Sequence, residues 1–171
     1  MTIEQLFFEL VRIAIGKQQK FTFLPNVVQW RELYHLSVHH TLSGVIFPAI
    51  ECLPEDQRPP KDVLLQWYMM KESIVTRNRL LNKRAVETIA YFQNHGFDCC
   101  ILKGQGIATL YPNPLLRTSG DIDVWLNGGR ERIYNFTRNS GKLEGLTYIH
   151  IHYPLYEDVK VEAHVTPRYL F

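Results

Sequence analysis

The chain has 171 residues, a formal charge of +2, 46% hydrophobic and 21% charged residues. That length suits one domain, or one domain with a helical annex, and the composition excludes a disordered chain. So small a charge gives no support for nucleic-acid or membrane-surface binding, both of which depend on clustered basic residues. Cys52, Cys99 and Cys100 cannot all pair, and neighbours in a strand point to opposite faces, which suits a reducing compartment. The first residues lack the basic and apolar stretches of a signal peptide, and no window reaches the roughly 18 apolar residues of a membrane span. A soluble cytoplasmic protein with no membrane partner is expected.

In chain order, Leu6, Phe7, Leu10, Ile13 and Ala14 make one face of a helix from Ile3 to about Ile15, with Thr2 as N-cap and Gly16 as its end. Asn26 can cap a second helix through Val27, Trp30, Leu33, Tyr34 and Ser37, and a third apolar stretch runs from Leu42 to Ile50. After Pro54, Pro59 and Pro60, apolar positions recur from about Lys61 to Asn94 in steps of three and four. This predicts a helix of roughly 50 Å, closed by His95-Gly96. Trp30, Tyr34, Trp67, Tyr91 and Phe92 fall on helical faces and should mostly be core, and Arg77, Arg79, Lys83 and Arg84 read as a solvated helix face.

The texture then changes. Phe97 to Leu102 has strand length, Lys103-Gly104-Gln105-Gly106 is a turn, and Ile107 to Tyr111 is a short helix stopped by Pro112 and Pro114. A second strand runs from Asp121 to Leu126, a helix from about Arg130 to Arg138, and two more strands lie near Leu146 to His152 and Val159 to Val165. The expected class is α+β, with α/β-like order: a helical part over 1–95 and a small mixed sheet over 96–171.

Alternation along Gly120-Asp121-Ile122-Asp123-Val124 puts Asp121 and Asp123 on one face and Ile122 and Val124 on the other. Two adjacent carboxylates repel, and a hard divalent cation converts that repulsion into coordination. In Val161-Glu162-Ala163-His164, Glu162 is the natural third acid if the two strands are neighbours. Lys103-Gly104 sits where a strand delivers the chain to a helix, so backbone N–H groups there can meet a phosphate, with Lys103 and Arg117 adding positive charge. His150, His152 and His164 can either form an imidazole metal site or line the face that carries the acids.

The glycine turn, the Asp121-x-Asp123 strand and the later Glu162 together resemble the DNA polymerase beta-like nucleotidyltransferase superfamily. The fuller string Leu102-Lys103-Gly104, Leu110-Tyr111-Pro112, Arg117, Gly120-Asp121-Ile122-Asp123 and Val161-Glu162-Ala163-His164 looks like a poorly characterised bacterial subfamily with a helical N-terminal region, and covers most of the chain. The resemblance implies a nucleotidyltransferase core over 96–171. It also implies Mg²⁺-dependent transfer (Mn²⁺ being the alternative ion) of a nucleoside monophosphate from an NTP, ATP first among them, to a hydroxyl or phosphate of an unidentified acceptor. Asp121, Asp123 and Glu162 would bind metal and carry catalysis, with Glu162 as base, while Lys103, Gly104, Gln105, Gly106 and Arg117 would hold the triphosphate. Gln105 stands where the commoner pattern has serine or a second glycine. The chain also stops at Tyr169-Leu170-Phe171, where relatives continue into further helices, so a core truncated at its C-terminus is expected. The alternative reading is a catalytically silent domain that serves as a binding or interaction module.

Overall fold

The computed structural model describes residues 1–141, 145–147 and 149–166, so the expectation about residues 169–171 lies outside the described residues. The fold is α+β, with a helical N-terminal region followed by a small mixed sheet. The residues group into two compact units, Met1–Thr76 with Leu116–Thr118, and Arg77–Leu115 with Ser119–Phe171.

The first unit holds α1 (Ile3–Ala14), α2 (Val27–His39), α3 (Ser43–Cys52) and the start of α4 (Lys61–Asn94). Reciprocal capping boxes start α1 and α2: Thr2 with Gln5, and Asn26 with Gln29, each satisfy two otherwise unpaired N–H groups. Leu6, Leu10, Trp30, Leu33, Ile46, Ile50 and Trp67 form the core of this unit. Each such side chain contributes about 1.5–3 kcal/mol when fully buried. The indole N–H of Trp67 donates to the Ser43 carbonyl at 3.1 Å, so this ring buries no unsatisfied donor.

In the second unit, β1 (Cys99–Ile101), β2 (Ile122–Leu126), β3 (Gly145–Leu146), β4 (His150–His152) and β5 (Val161–His164) form one sheet in the order β1-β2-β5-β4-β3. The β2–β5 pair is parallel and its neighbours are antiparallel. The part of α4 from Arg77 onward belongs to this unit, together with α5 (Gln105–Ala108) and α6 (Gly129–Asn139). Ile122, Val124, Leu126, Ile151, Val161 and Ala163 supply the buried face of the sheet. They pack in one cluster with Leu81, Ala85 and Phe92 of α4 and Ile133 of α6. Period-two alternation therefore leaves Asp123, Glu162, His164, His150 and His152 on the opposite face.

Two expectations are corrected. The single strand expected from Leu146 to His152 is a hairpin, β3 and β4. The Thr147 hydroxyl accepts the N–H groups of Ile149 and His150 and turns the chain without a glycine. The short helix expected at Ile107 to Tyr111 starts earlier, at Gln105, and is a single turn.

Of the basic run on α4, Arg79 and Lys83 are exposed as expected, whereas Arg77 and Arg84 are engaged. Arg84 donates to both carboxylate oxygens of Asp158, at 3.1 and 2.7 Å, and stacks 4.4 Å from the Tyr156 ring centroid. Arg77 donates to the carbonyls of Asp158 at 2.7 Å and Gly120 at 3.1 Å. These arginines hold the segments that lead into β5 and β2.

Candidate metal and nucleotide site

The parallel register of β2 and β5 sets Asp123 beside Glu162 and Trp125 beside His164. Asp123 is buried at 4% exposure, unusual for a carboxylate that must be paired to be tolerated there. It has two partners: the His164 imidazole, Nε2 to Oδ1 at 2.7 Å, and the Lys103 ammonium at 3.0 Å from the same oxygen. Burial opposes ionisation of Asp123, but these two hydrogen bonds and the accompanying charge prevail and hold its carboxyl below the ordinary range. Lys103 is raised above its ordinary value, first by the hydrogen bond to Asp123 and also by the nearby charges of Asp121 and Glu162.

One ammonium thus stands in the combined field of all three expected carboxylates. Asp121 is half-buried at the head of β2, immediately after the Gly120 carbonyl that Arg77 holds. Asp123, Glu162 and His164 each offer a donor atom within 4.8 Å of the others. Hard carboxylate oxygens around a position already stabilising positive charge suit a divalent cation such as Mg²⁺. Lys103, with a side chain 60% exposed, has room to swing aside.

The turn abuts this cluster. Gly104 adopts φ 52° and ψ −109°, a conformation costly for any residue with a Cβ, and a Cβ built there would lie 3.5 Å from the Asp121 carbonyl. Gly106 is pressed against the Ile101 carbonyl, 3.0 Å from where its Cβ would be. The Gly106 N–H donates to the Lys103 carbonyl at 2.9 Å, and α5 is too short to carry much dipole. Lys103 is therefore the principal cation of the turn. The Gln105 amide points back to α4, donating to the Asn82 side chain and reaching the Asn78 carbonyl at 3.5 Å.

Lys103, Gly104, Asp123 and Glu162 are accordingly brought together, whereas Asp121 reaches the cluster through its charge on Lys103 and is outside the Asp123, Glu162 and His164 group. Arg117 belongs to the first unit. Sequence reasoning missed two contributors: His164 as the buried partner of Asp123, and Arg77 as the clamp on Gly120. The alternation Glu162-x-His164 was the available signal for the first; nothing in the spacing around Arg77 signals the second.

Carboxylates on adjacent strands beside a lysine-glycine turn make a cluster that could hold a metal ion. A family model described as uncharacterised nucleotidyltransferase matches residues 26–167. The chain belongs to this nucleotidyltransferase family. Comparison with curated proteins and with solved structures returned no match. No helix among the described residues is long and apolar enough to cross a membrane.

Proposed function

We propose that the second unit is a Mg²⁺-dependent nucleotidyltransferase that moves a nucleoside monophosphate from an NTP, ATP first among candidates, to an acceptor hydroxyl or phosphate. The observation that carries this reading is the side-by-side register of Asp123 and Glu162 with the Lys103 ammonium among the three acids. Mg²⁺, or Mn²⁺ in its place, held by Asp121, Asp123 and Glu162 would supply Lewis-acid stabilisation of charge on the triphosphate.

The chain's own residues have distinct tasks. His164 keeps Asp123 ionised and oriented; Arg77 fixes the backbone entering Asp121. Lys103 leaves Asp123 for the triphosphate oxygens, and Gly104, with Gln105 and Gly106 beside it, lets the backbone approach them. Glu162 takes the proton of the acceptor hydroxyl as its oxygen attacks the α-phosphorus and pyrophosphate departs. The silent-module alternative drew on Gln105, but its side chain is absorbed by α4 and leaves the mouth of the turn.

Thermal shift with each NTP, with and without Mg²⁺, tests the reading. Stabilisation that requires both, and disappears in Asp121→Ala/Asp123→Ala, is expected. Absence of a shift with every nucleotide would refute it.

A further inference from the structure

On the side of Glu162 away from Asp123, β4 presents two imidazoles to the same carboxylate. Register aligns Asp123, Glu162 and His152 across β2, β5 and β4, and pairs His164 with His150 in the next row. His150 and His152, two apart on one strand, share a face, and their ring centroids are only 4.8 Å apart. Nδ1 of His150 lies 3.5 Å from Oε2 of Glu162, and Nδ1 of His152 lies 3.6 Å from Oε1.

These separations exceed good N–H···O hydrogen bonds. They match the spacing of neighbouring donors around one ion, since ligands bound at about 2.0–2.2 Å in tetrahedral geometry stand about 3.3–3.6 Å apart. One donor atom from each of His150, His152 and Glu162 lies within 4.8 Å of the other two. His164 is not part of this set: its Nε2 is committed to Asp123 at 2.7 Å and is 3.9 Å from Glu162.

We propose that His150, His152 and Glu162 bind a divalent transition metal of the zinc and cobalt class, at a second position that shares Glu162 with the carboxylate cluster. Two imidazoles and one carboxylate make a borderline donor set that favours such an ion over Mg²⁺, which prefers oxygen alone. Three protein ligands leave a fourth position for water or a ligand oxygen. The His152 side chain is 43% exposed and lines a groove with Tyr153, Tyr156 and Lys160, so the position is reachable from solvent.

The test is titration of the full chain with Co²⁺ alone, followed by visible absorption, and with Zn²⁺ against a chromophoric chelator. One equivalent of Co²⁺ with intense visible bands is expected. Affinity should survive Asp121→Asn and fall at least about tenfold in His150→Asn/His152→Asn. Because both histidines are only partly buried, the variant should unfold near the wild-type temperature, and His152→Gln alone, at the more exposed of the two, should shift affinity in the same direction. Absence of stoichiometric Co²⁺ binding would overturn the site, as would unchanged affinity in the double variant or loss only on replacing His35, His39 and His40. A chain that binds Co²⁺ in this way but shows no Mg²⁺-dependent nucleotide binding would uphold the site while refuting the transferase reading.

Discussion

Replacing His164 with leucine removes one of the two groups that make a buried Asp123 tolerable. The two side chains are 6% and 5% exposed and joined at 2.7 Å, and Lys103 remains at 3.0 Å after the change. A hydrogen bond to a charged group contributes about 1.5–3 kcal/mol, and breaking a buried pair outright costs about 3–5 kcal/mol. With Lys103 still present the expected loss is about 2–3 kcal/mol, or about 4–12 °C in Tm for a chain of this size. Urea unfolding at neutral pH measures it, and hydrogen exchange should locate the lost protection in β2 and β5. In Asp123→Leu/His164→Leu the buried carboxylate is gone as well, so the double variant should be less destabilised than the sum of the singles by about 1.5–3 kcal/mol. Additivity within about 0.5 kcal/mol would refute the pairing. The pH dependence has a definite sign. Asp123 has a depressed folded pKa, so its contribution is fully present above the unfolded value of about 3.9 and is lost as pH falls through the folded value. Wild type should therefore lose stability in that acid window, and Asp123→Leu should not lose this component.

Gly104→Ala places a Cβ at φ 52° and ψ −109°, which should cost about 1–3 kcal/mol and abolish Mg²⁺-dependent nucleotide stabilisation by thermal shift. Gly44→Ala puts a Cβ 2.3 Å from the Leu116 carbonyl, and should destabilise the first unit by about 3 kcal/mol, read by urea unfolding, while Co²⁺ binding by the second unit persists. Arg77→Met frees the carbonyls of Gly120 and Asp158. Calorimetric nucleotide affinity should fall while Tm changes little. Tyr91→Phe removes one hydroxyl of the 2.7 Å pair with Tyr153, and should cost about 0.5–1.5 kcal/mol, against about 3–5 kcal/mol for Phe92→Ala beside it.

Much of this protein was legible from local pattern. The 3.6-residue recurrence from Lys61 to Asn94 marks α4 at the observed bounds, and Thr2, Asn26, Gly16 and Gly96 mark helix ends, because capping and helical periodicity depend on residues close in sequence. Alternation alone placed Asp121 with Asp123, and Glu162 with His164, on single faces. The hairpin at Thr147 was missed because a threonine hydroxyl does the work usually signalled by glycine. Only the tertiary structure decided which strands are neighbours. The parallel β2–β5 pairing brings Asp123 to Glu162 and to His164, and β4 brings His150 and His152 to the far side of Glu162. It also turned Arg77 and Arg84 from an apparent solvated face into clamps on Gly120 and Asp158. Contacts between segments distant in the chain leave no periodic trace in the residues that make them, so an alternating strand specifies which face a carboxylate shares but not which partner meets it there.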